Sequence, residues 1–232
     1  MISFIIPSYN AATWLAQAVK SVMAQTYKDC EVVIVDDCST DSTGQYLDWL
    51  AKQKTNFPVK VVRNEVNLGR SYSRNLGNWN AKGDICVLDA DDLATPKRAE
   101  LTAQAFANGH KFVYGSAVII DAVGKKIGEL NAEVFSKEKA LSEGVNRIVH
   151  STIGYTKDTA LNYLYKDGEI SELGIDDWEH QVRMALDGVK FEMIPNTLCA
   201  YRQLASGISK VRDESKVMAF KKQYLESVKS VA

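Results

Sequence analysis

Through its first hundred residues the chain alternates short β-branched runs with amphipathic stretches. That alternation is the signature of parallel strands joined by helical crossovers, and it constrains the fold more than any other feature. Ile2 to Ile6 reads as the first strand, and Trp14, Leu15, Ala18, Val19, Val22 and Met23 fall on one face of a helix that Asn10 is placed to cap. Glu31 to Val35 is a second buried strand, followed by the turn-rich run from Asp36 to Gly44 and a helix to about Lys52. Val59 to Val62 gives a third strand, Ser71 to Ala81 a third helix, and Asp84 to Leu88 a fourth strand ending in Asp89-Ala90-Asp91-Asp92. Pro96 then opens another helix, as proline does in a first turn.

The second half is less regular. Lys111 to Asp121 and Lys125 to Glu129 flank Ala122-Val123-Gly124, the pattern of an antiparallel pair. Asp176 to Asp187 reads as a helix closed by Gly188, Phe191 to Arg202 as an extended stretch interrupted at Pro195, and Asp213 to Val231 as a terminal helix. That last helix carries Val217, Phe220, Tyr224 and Val228 on one face, with Lys216, Lys221, Lys222 and Lys229 among the remaining positions. Packing onto the body of the protein is the expectation, with a homodimer contact or a weak membrane contact as alternatives. The 232 residues, 46% of them hydrophobic, can bury a full core, and no repeat, low-complexity tract or linker divides them. One α/β domain with a sheet continuous through both halves follows.

Charge and cysteine usage exclude several functions. The 28 basic and 29 acidic side chains leave a net charge of -1, so no overall field recruits polyanions or anionic membrane. Cys30, Cys38, Cys86 and Cys199 form no CxxC pair and read as buried thiols in a reducing compartment. The opening ISFIIPSYN reads as a strand and not a signal, and no apolar run approaches the roughly 20 residues that span a bilayer. The protein is therefore expected in the cytoplasm.

In open α/β sheets ligands bind beyond the carboxyl ends of the strands. Three such ends are polar: Pro7-Ser8-Tyr9-Asn10, Asp36-Asp37-Cys38-Ser39 and Asp89-Ala90-Asp91-Asp92. Tyr9 offers an aromatic face for a base, Asp37 a carboxylate that accepts hydrogen bonds from base or ribose, and Asp91 a hard oxygen ligand. Each aspartate alone is more often a helix cap or turn residue; their conjunction describes a nucleotide pocket. Carboxylates at a strand end suit Mg²⁺ or Mn²⁺ against a diphosphate. No Gly-rich phosphate fingerprint follows the first strand and no GxxxxGK[ST] is present, so dinucleotide and P-loop sites are excluded.

FIIPSYN, SVMAQTYKDCEVVIVDDCSTDST, NLGRSYSRNLGNWNAKGD and ICVLDADD resemble, in order, the successive motifs of glycosyltransferase family 2. The resemblance implies a three-layer α/β/α nucleotide-diphospho-sugar transferase fold of the A type, with a central, mostly parallel mixed sheet. It divides the chain into a nucleotide-sugar-binding half (1–110), an acceptor-facing half (111–210) and a C-terminal helix (211–232). It implies that Asp37 contacts the base, that Pro7 and Tyr9 line the pocket, that Asp91 holds the ion and that Asp89 serves the ribose side or the ion. Arg70 and Arg74 are candidates to meet the diphosphate, against the competing reading of a solvated helix face.

Gly174-Ile175-Asp176-Asp177-Trp178-Glu179 is similar to the family's acidic-Asp-aromatic motif, and Asp177 matches the residue that deprotonates the acceptor hydroxyl. Tyr201 and Arg202, followed by Ser206-Gly207-Ile208-Ser209, resemble the segment that closes over the diphosphate. Where many relatives carry a histidine two residues after that arginine, this chain has Leu204, so the ion would rely on Asp91, diphosphate and water. His150 lies in the region expected to meet the acceptor.

The implied reaction is inverting, metal-dependent transfer of a sugar from a nucleoside diphosphate, with UDP the family default. The acceptor is a hydroxyl of a glycan, lipid-linked glycan, protein or modified nucleic acid. A sugar nucleotidyltransferase is the rival enzyme, but its usual Gly-rich, basic first loop is absent from Pro7 to Ala12. A catalytically silent nucleotide-sugar-binding protein is the other rival, and Asp177 argues against it.

Overall fold

The computed structural model describes residues 1–143, 148–205 and 213–229. Strands β1 (Ile2–Ser8), β2 (Cys30–Asp36), β3 (Val59–Arg63) and β4 (Asp84–Val87) run parallel, linked by α1 (Leu15–Met23), α2 (Thr43–Leu50) and α3 (Gly69–Asn80). Both faces of β1 and β2 are covered, which is why they read as continuous apolar runs and not as alternation. Phe4, Ile6, Val32 and Ile34 pack with Leu15, Val19, Val22 and Leu47 on one side. Ile5, Val33, Ile85 and Val87 pack with the second half on the other.

That second half begins with β5 (Leu93–Ala94) and α4 (Arg98–Ala107), then the antiparallel pair β6 (Phe112–Ile120) and β7 (Lys126–Leu130). It continues through α5 (Lys137–Glu143), a 3₁₀ turn at His150–Thr152, β8 (Gly154–Tyr155), α6 (Lys157–Asn162), α7 (Glu169–Glu172), α8 (Asp176–Leu186), β9 (Phe191–Arg202) and α9 (Glu214–Lys229). The strand order is β3-β2-β1-β4-β8-β6-β9-β5, with β7 added on β6. Short β8 pairs antiparallel with both β4 and β6 and so makes one mixed sheet of the two halves. Val217 and Leu225 of α9 are buried with Trp178 and Val182 of α8, so the terminal helix packs on the body as its apolar face requires. Among the described residues no helix is long and apolar enough to cross a membrane.

Several local expectations change. Asn10 does not cap α1: it adopts a left-handed φ of 49°, and its Oδ1 accepts from the Thr40 (2.8 Å) and Asp41 (3.3 Å) amides. A short carboxamide tolerates that backbone and ties the loop after β1 to the loop after β2. Helix α4 starts at Arg98, with Pro96 in the turn before it. Pro195 does not break β9; the register with β6 slips around Gly115 and Ser116, so proline sits in a bulge. The two-residue strands and short helices of the second half were not foreseen. Ser206 to Ser209, and the terminal helix beyond Lys229, lie outside the described residues.

Helix α3 buries polar residues: Ser71, Ser73, Arg74, Asn75 and Asn78 all face inward. It lies close against β1 because position 77 is glycine; a Cβ there would overlap the Ile5 side chain.

Candidate active site

The parallel register brings the polar strand ends together. Ser8 pairs with Asp36, so Tyr9 and Asp37 leave the sheet side by side, and Ile5 pairs with Val87, which sets the acidic loop Asp89 to Asp92 next to β1. Tyr9 is half exposed (50%), whereas Pro7 is partly buried opposite Val35. Asp37 is buried, and its Oδ1 accepts from Asn64 Nδ2 (2.7 Å) and the Leu68 amide (2.8 Å) while Oδ2 accepts from the Gly69 amide (2.8 Å). It therefore holds the start of α3 and shapes the 64–69 loop.

In the acidic loop, Asp89 receives Arg74 Nη2 at 3.1 Å, and its amide donates to Ser151 Oγ at 3.0 Å. Burial and the neighbouring Asp89 charge push the Asp91 carboxyl up to about 6. Burial and the neighbouring Asp91 charge push Asp92 well above the ordinary carboxylate range. Crowded, partly desolvated carboxylate oxygens of this kind fit a hard divalent cation such as Mg²⁺ or Mn²⁺. Among the described residues no three His, Cys, Asp or Glu side chains converge as a metal cage, so such an ion would draw remaining ligands from the donor's phosphates and water. Leu204 supplies no ligand atom.

Arg202, expected over the diphosphate, is engaged within the protein. Its side chain is buried, with Nε donating to Asp91 O (2.8 Å), Nη1 to Asp121 O and Ala122 O, and Nη2 to Gln17 Oε1 (3.0 Å). The guanidinium lies 4.5 Å from the Trp14 ring centroid, and the Arg202 amide donates to Asp92 Oδ1 at 2.7 Å. With four acceptors already engaged, Arg202 is a strut that props the acidic loop against α1 and the β6–β7 turn. Tyr201, beside it in β9, is partly buried in register with Ile119.

Arg70 and Arg74 form no solvated face either. Both reach from α3 to Asp176 at the start of α8: Arg70 Nε donates to Oδ1 at 2.7 Å, and Arg74 Nη1 donates to Oδ2. Burial opposes the Arg74 charge, but Asp176 and Asp89 hold its pKa above the ordinary arginine value. Burial alone would raise Asp176, yet Arg74 and Arg70 keep it below the usual carboxylate range. Asp177 differs: burial and the adjacent Asp176 charge raise it, and its Oδ1 accepts the Trp178 amide at 2.8 Å. A carboxylate raised in this way accepts a proton more readily.

Beneath Arg74 lies a buried aromatic floor. The Arg74 guanidinium is 5.4 Å from the Tyr165 ring centroid, and Tyr165 Oη meets Tyr155 Oη (3.2 Å) and His150 Nε2 (3.4 Å). His150 is buried, and burial together with Arg74 keeps its pKa well below the ordinary histidine value. The 3₁₀ turn thus places His150 under the site, with Ser151 next to Asp89. Asp176 and Ser151 escaped the sequence reading; the signal for Asp176 was present in two arginines spaced i, i+4 on one helix and an Asp-Asp pair opening another.

The model of "Glycosyl transferase family 2" matches residues 3–162. An uncharacterized glycosyltransferase of Haemophilus influenzae is 38% identical over 120 residues, covering 50% of this chain and 39% of that protein. One of Methanocaldococcus jannaschii is 28% identical over 208 residues, covering 87% of this chain and 70% of the relative. The matches with the glycosyltransferases of H. influenzae and Streptococcus pneumoniae thus span only 39% and 34% of those curated relatives. Among solved structures, S. aureus TarS 1-349 in complex with UDP-GlcNAc has a TM-score of 0.67 at 17% identity, covering 97% of this chain and 65% of that one. The mannosyltransferase PcManGT of Pyrobaculum calidifontis, in complex with GDP-Man and Mn2+, has a TM-score of 0.66 at 17% identity, covering 89% and 58%. Ordered motifs, a mixed sheet with its polar strand ends aligned, and a family match over most of the length agree: the chain belongs to glycosyltransferase family 2.

Proposed function

We propose that the protein transfers a sugar from a nucleoside diphosphate, with UDP as carrier, to an acceptor hydroxyl with inversion at the anomeric carbon. In this reading the bond between the anomeric carbon and the diphosphate oxygen breaks, and its electron pair leaves with the nucleoside diphosphate. The acceptor oxygen bonds to the opposite face of that carbon while its proton passes to the Asp177 carboxylate. Tyr9 and Pro7 flank the base beside Asp37, and Asp89 and Asp91 face the ribose and diphosphate. A divalent cation bound there would supply charge neutralisation for the departing diphosphate, and Asp91 with Asp89 would hold it.

The observation that carries the reading is the Arg74 guanidinium, which touches Asp89 of the acidic loop and Asp176 beside Asp177. In this reading that one side chain lies between the donor side and the acceptor side. The fold neighbours TarS with UDP-GlcNAc and PcManGT with GDP-Man and Mn2+ support a nucleotide-sugar donor and a divalent ion.

The test is UDP release from UDP-sugars with Mn²⁺ or Mg²⁺, water serving as acceptor, in wild type, Asp91→Ala and Asp177→Asn. A fall of about 10²-fold or more is expected in both variants. Nucleotide affinity should survive in Asp177→Asn and drop in Asp91→Ala. Full activity in both removes the mechanism.

A further inference from the structure

We propose that Arg74 and Asp176 are positioning residues for sugar transfer: their buried ion pair fixes the start of α8, and with it Asp177, against the loop that carries Asp89. The inference rests on the reading above and adds what sets the distance between its two sides. Asp177 follows Asp176 directly in the helix, so any displacement of one carries the other.

The geometry is specific. Asp176 is buried, and each of its carboxylate oxygens is taken by a different guanidinium, Arg70 on Oδ1 and Arg74 on Oδ2. Arg70 also donates through Nη2 to Ser171 O, tying α3 to α7 ahead of α8. Arg74 is itself held on three sides, by Asp176, by Asp89 and by the Tyr165 ring below. Tyr165 is pinned to the same helix because its amide donates to Asn75 Oδ1 at 2.8 Å and its carbonyl accepts Asn75 Nδ2 at 2.8 Å. It also stacks on His180 of α8, ring centroids 4.0 Å apart. A lysine ammonium is a point charge on a shorter reach and cannot span two carboxylates as the planar fork does. Arg74 is only 8% exposed, and Nη1 and Nη2 both hold carboxylates, so it serves the cleft by placement and not by contact with the donor.

The experiment compares wild type, Arg74→Lys, Asp176→Glu, the double variant and Asp177→Asn. The readouts are UDP release from UDP-GlcNAc or UDP-glucose in Mn²⁺ and UDP affinity by calorimetry. Each single variant keeps the charge pair but alters its span, so turnover should fall about 10²-fold while UDP affinity stays within about three-fold of wild type. The double variant combines a shorter cation with a longer anion and should recover turnover by about tenfold over the weaker single variant. Wild-type turnover in either single variant, UDP affinity lost in step with turnover, or losses that multiply in the double variant would each overturn the proposal. Failure of the underlying reading is separate: there wild type binds no UDP, or Asp177→Asn turns over at the wild-type rate. Where Arg74→Lys does not fold, Asp176→Glu with its charge retained decides.

Discussion

At the residue level Asp37 has a structural duty whatever it binds, since its carboxylate accepts from Asn64 and from the Leu68 and Gly69 amides. Asp37→Ala strands the buried Asn64 amide and the partly buried Leu68 and Gly69 amides and uncaps α3, so it should cost about 2 kcal/mol in urea unfolding before any ligand is considered. His180 makes a pH prediction. Burial lowers its pKa from 6.5 to about 4, so the folded ring refuses a proton that the unfolded chain accepts. Its contribution is intact above pH 6.5 and is lost as pH falls toward 4, up to about 3 kcal/mol. His150, depressed for the same reason, acts in the same direction, whereas Asp91, raised by burial, acts against it. The stability gap between wild type and His180→Leu should therefore narrow between pH 7 and pH 4.5; a constant gap would refute the assignment. The motifs pointed to Asp37, Asp89, Asp91 and Asp177 as candidates. The occupation of Arg202 and the pairing of Arg74 with Asp176 were not, because both depend on which distant backbone carbonyls and carboxylates come within reach.

At the level of elements, α3 is the organising piece. Its inward face is polar and its contact with β1 depends on Gly77, so helical periodicity of apolar residues gave only its existence. Gly77→Ala removes a helix-unfavourable glycine yet forces a methyl into Ile5, and the clash should win: a net loss of about 1–3 kcal/mol, read from denaturant midpoints. Strands β1 and β2 were legible as continuous apolar runs, and α1 by its sustained helical period. Strands β5 and β8 were not, since two residues carry no period and form only where β9 and β4 offer open edges. Helix α9 docks on α8 through Val217 and Leu225, and Tyr224 Oη donates to Glu179 Oε1 at 2.6 Å, so the terminal helix supports the element that bears Asp177.

For the whole molecule, one sheet runs from β3 to β5 without a break, and the candidate residues Tyr9, Asp37 and Asp89 follow the carboxyl ends of its parallel strands β1, β2 and β4. The four tryptophans report on both parts: Trp14 at the N-cap of α1, Trp49 in α2, Trp79 in α3 and Trp178 in α8. Urea unfolding followed by tryptophan fluorescence and by far-ultraviolet circular dichroism should give one coincident transition; separate midpoints would mean that β8 does not couple the halves. The sequence by itself determined the parallel N-terminal strands, their polar carboxyl ends and the family, because each rests on residues close together in the chain. Only the tertiary structure decided which distant groups Arg70, Arg74 and Arg202 reach, and that the start of α8 comes against the Asp89 loop through Arg74. Most of those contacts join residues about a hundred positions apart, and desolvation, which sets their strength, exists only once the chain has closed around them.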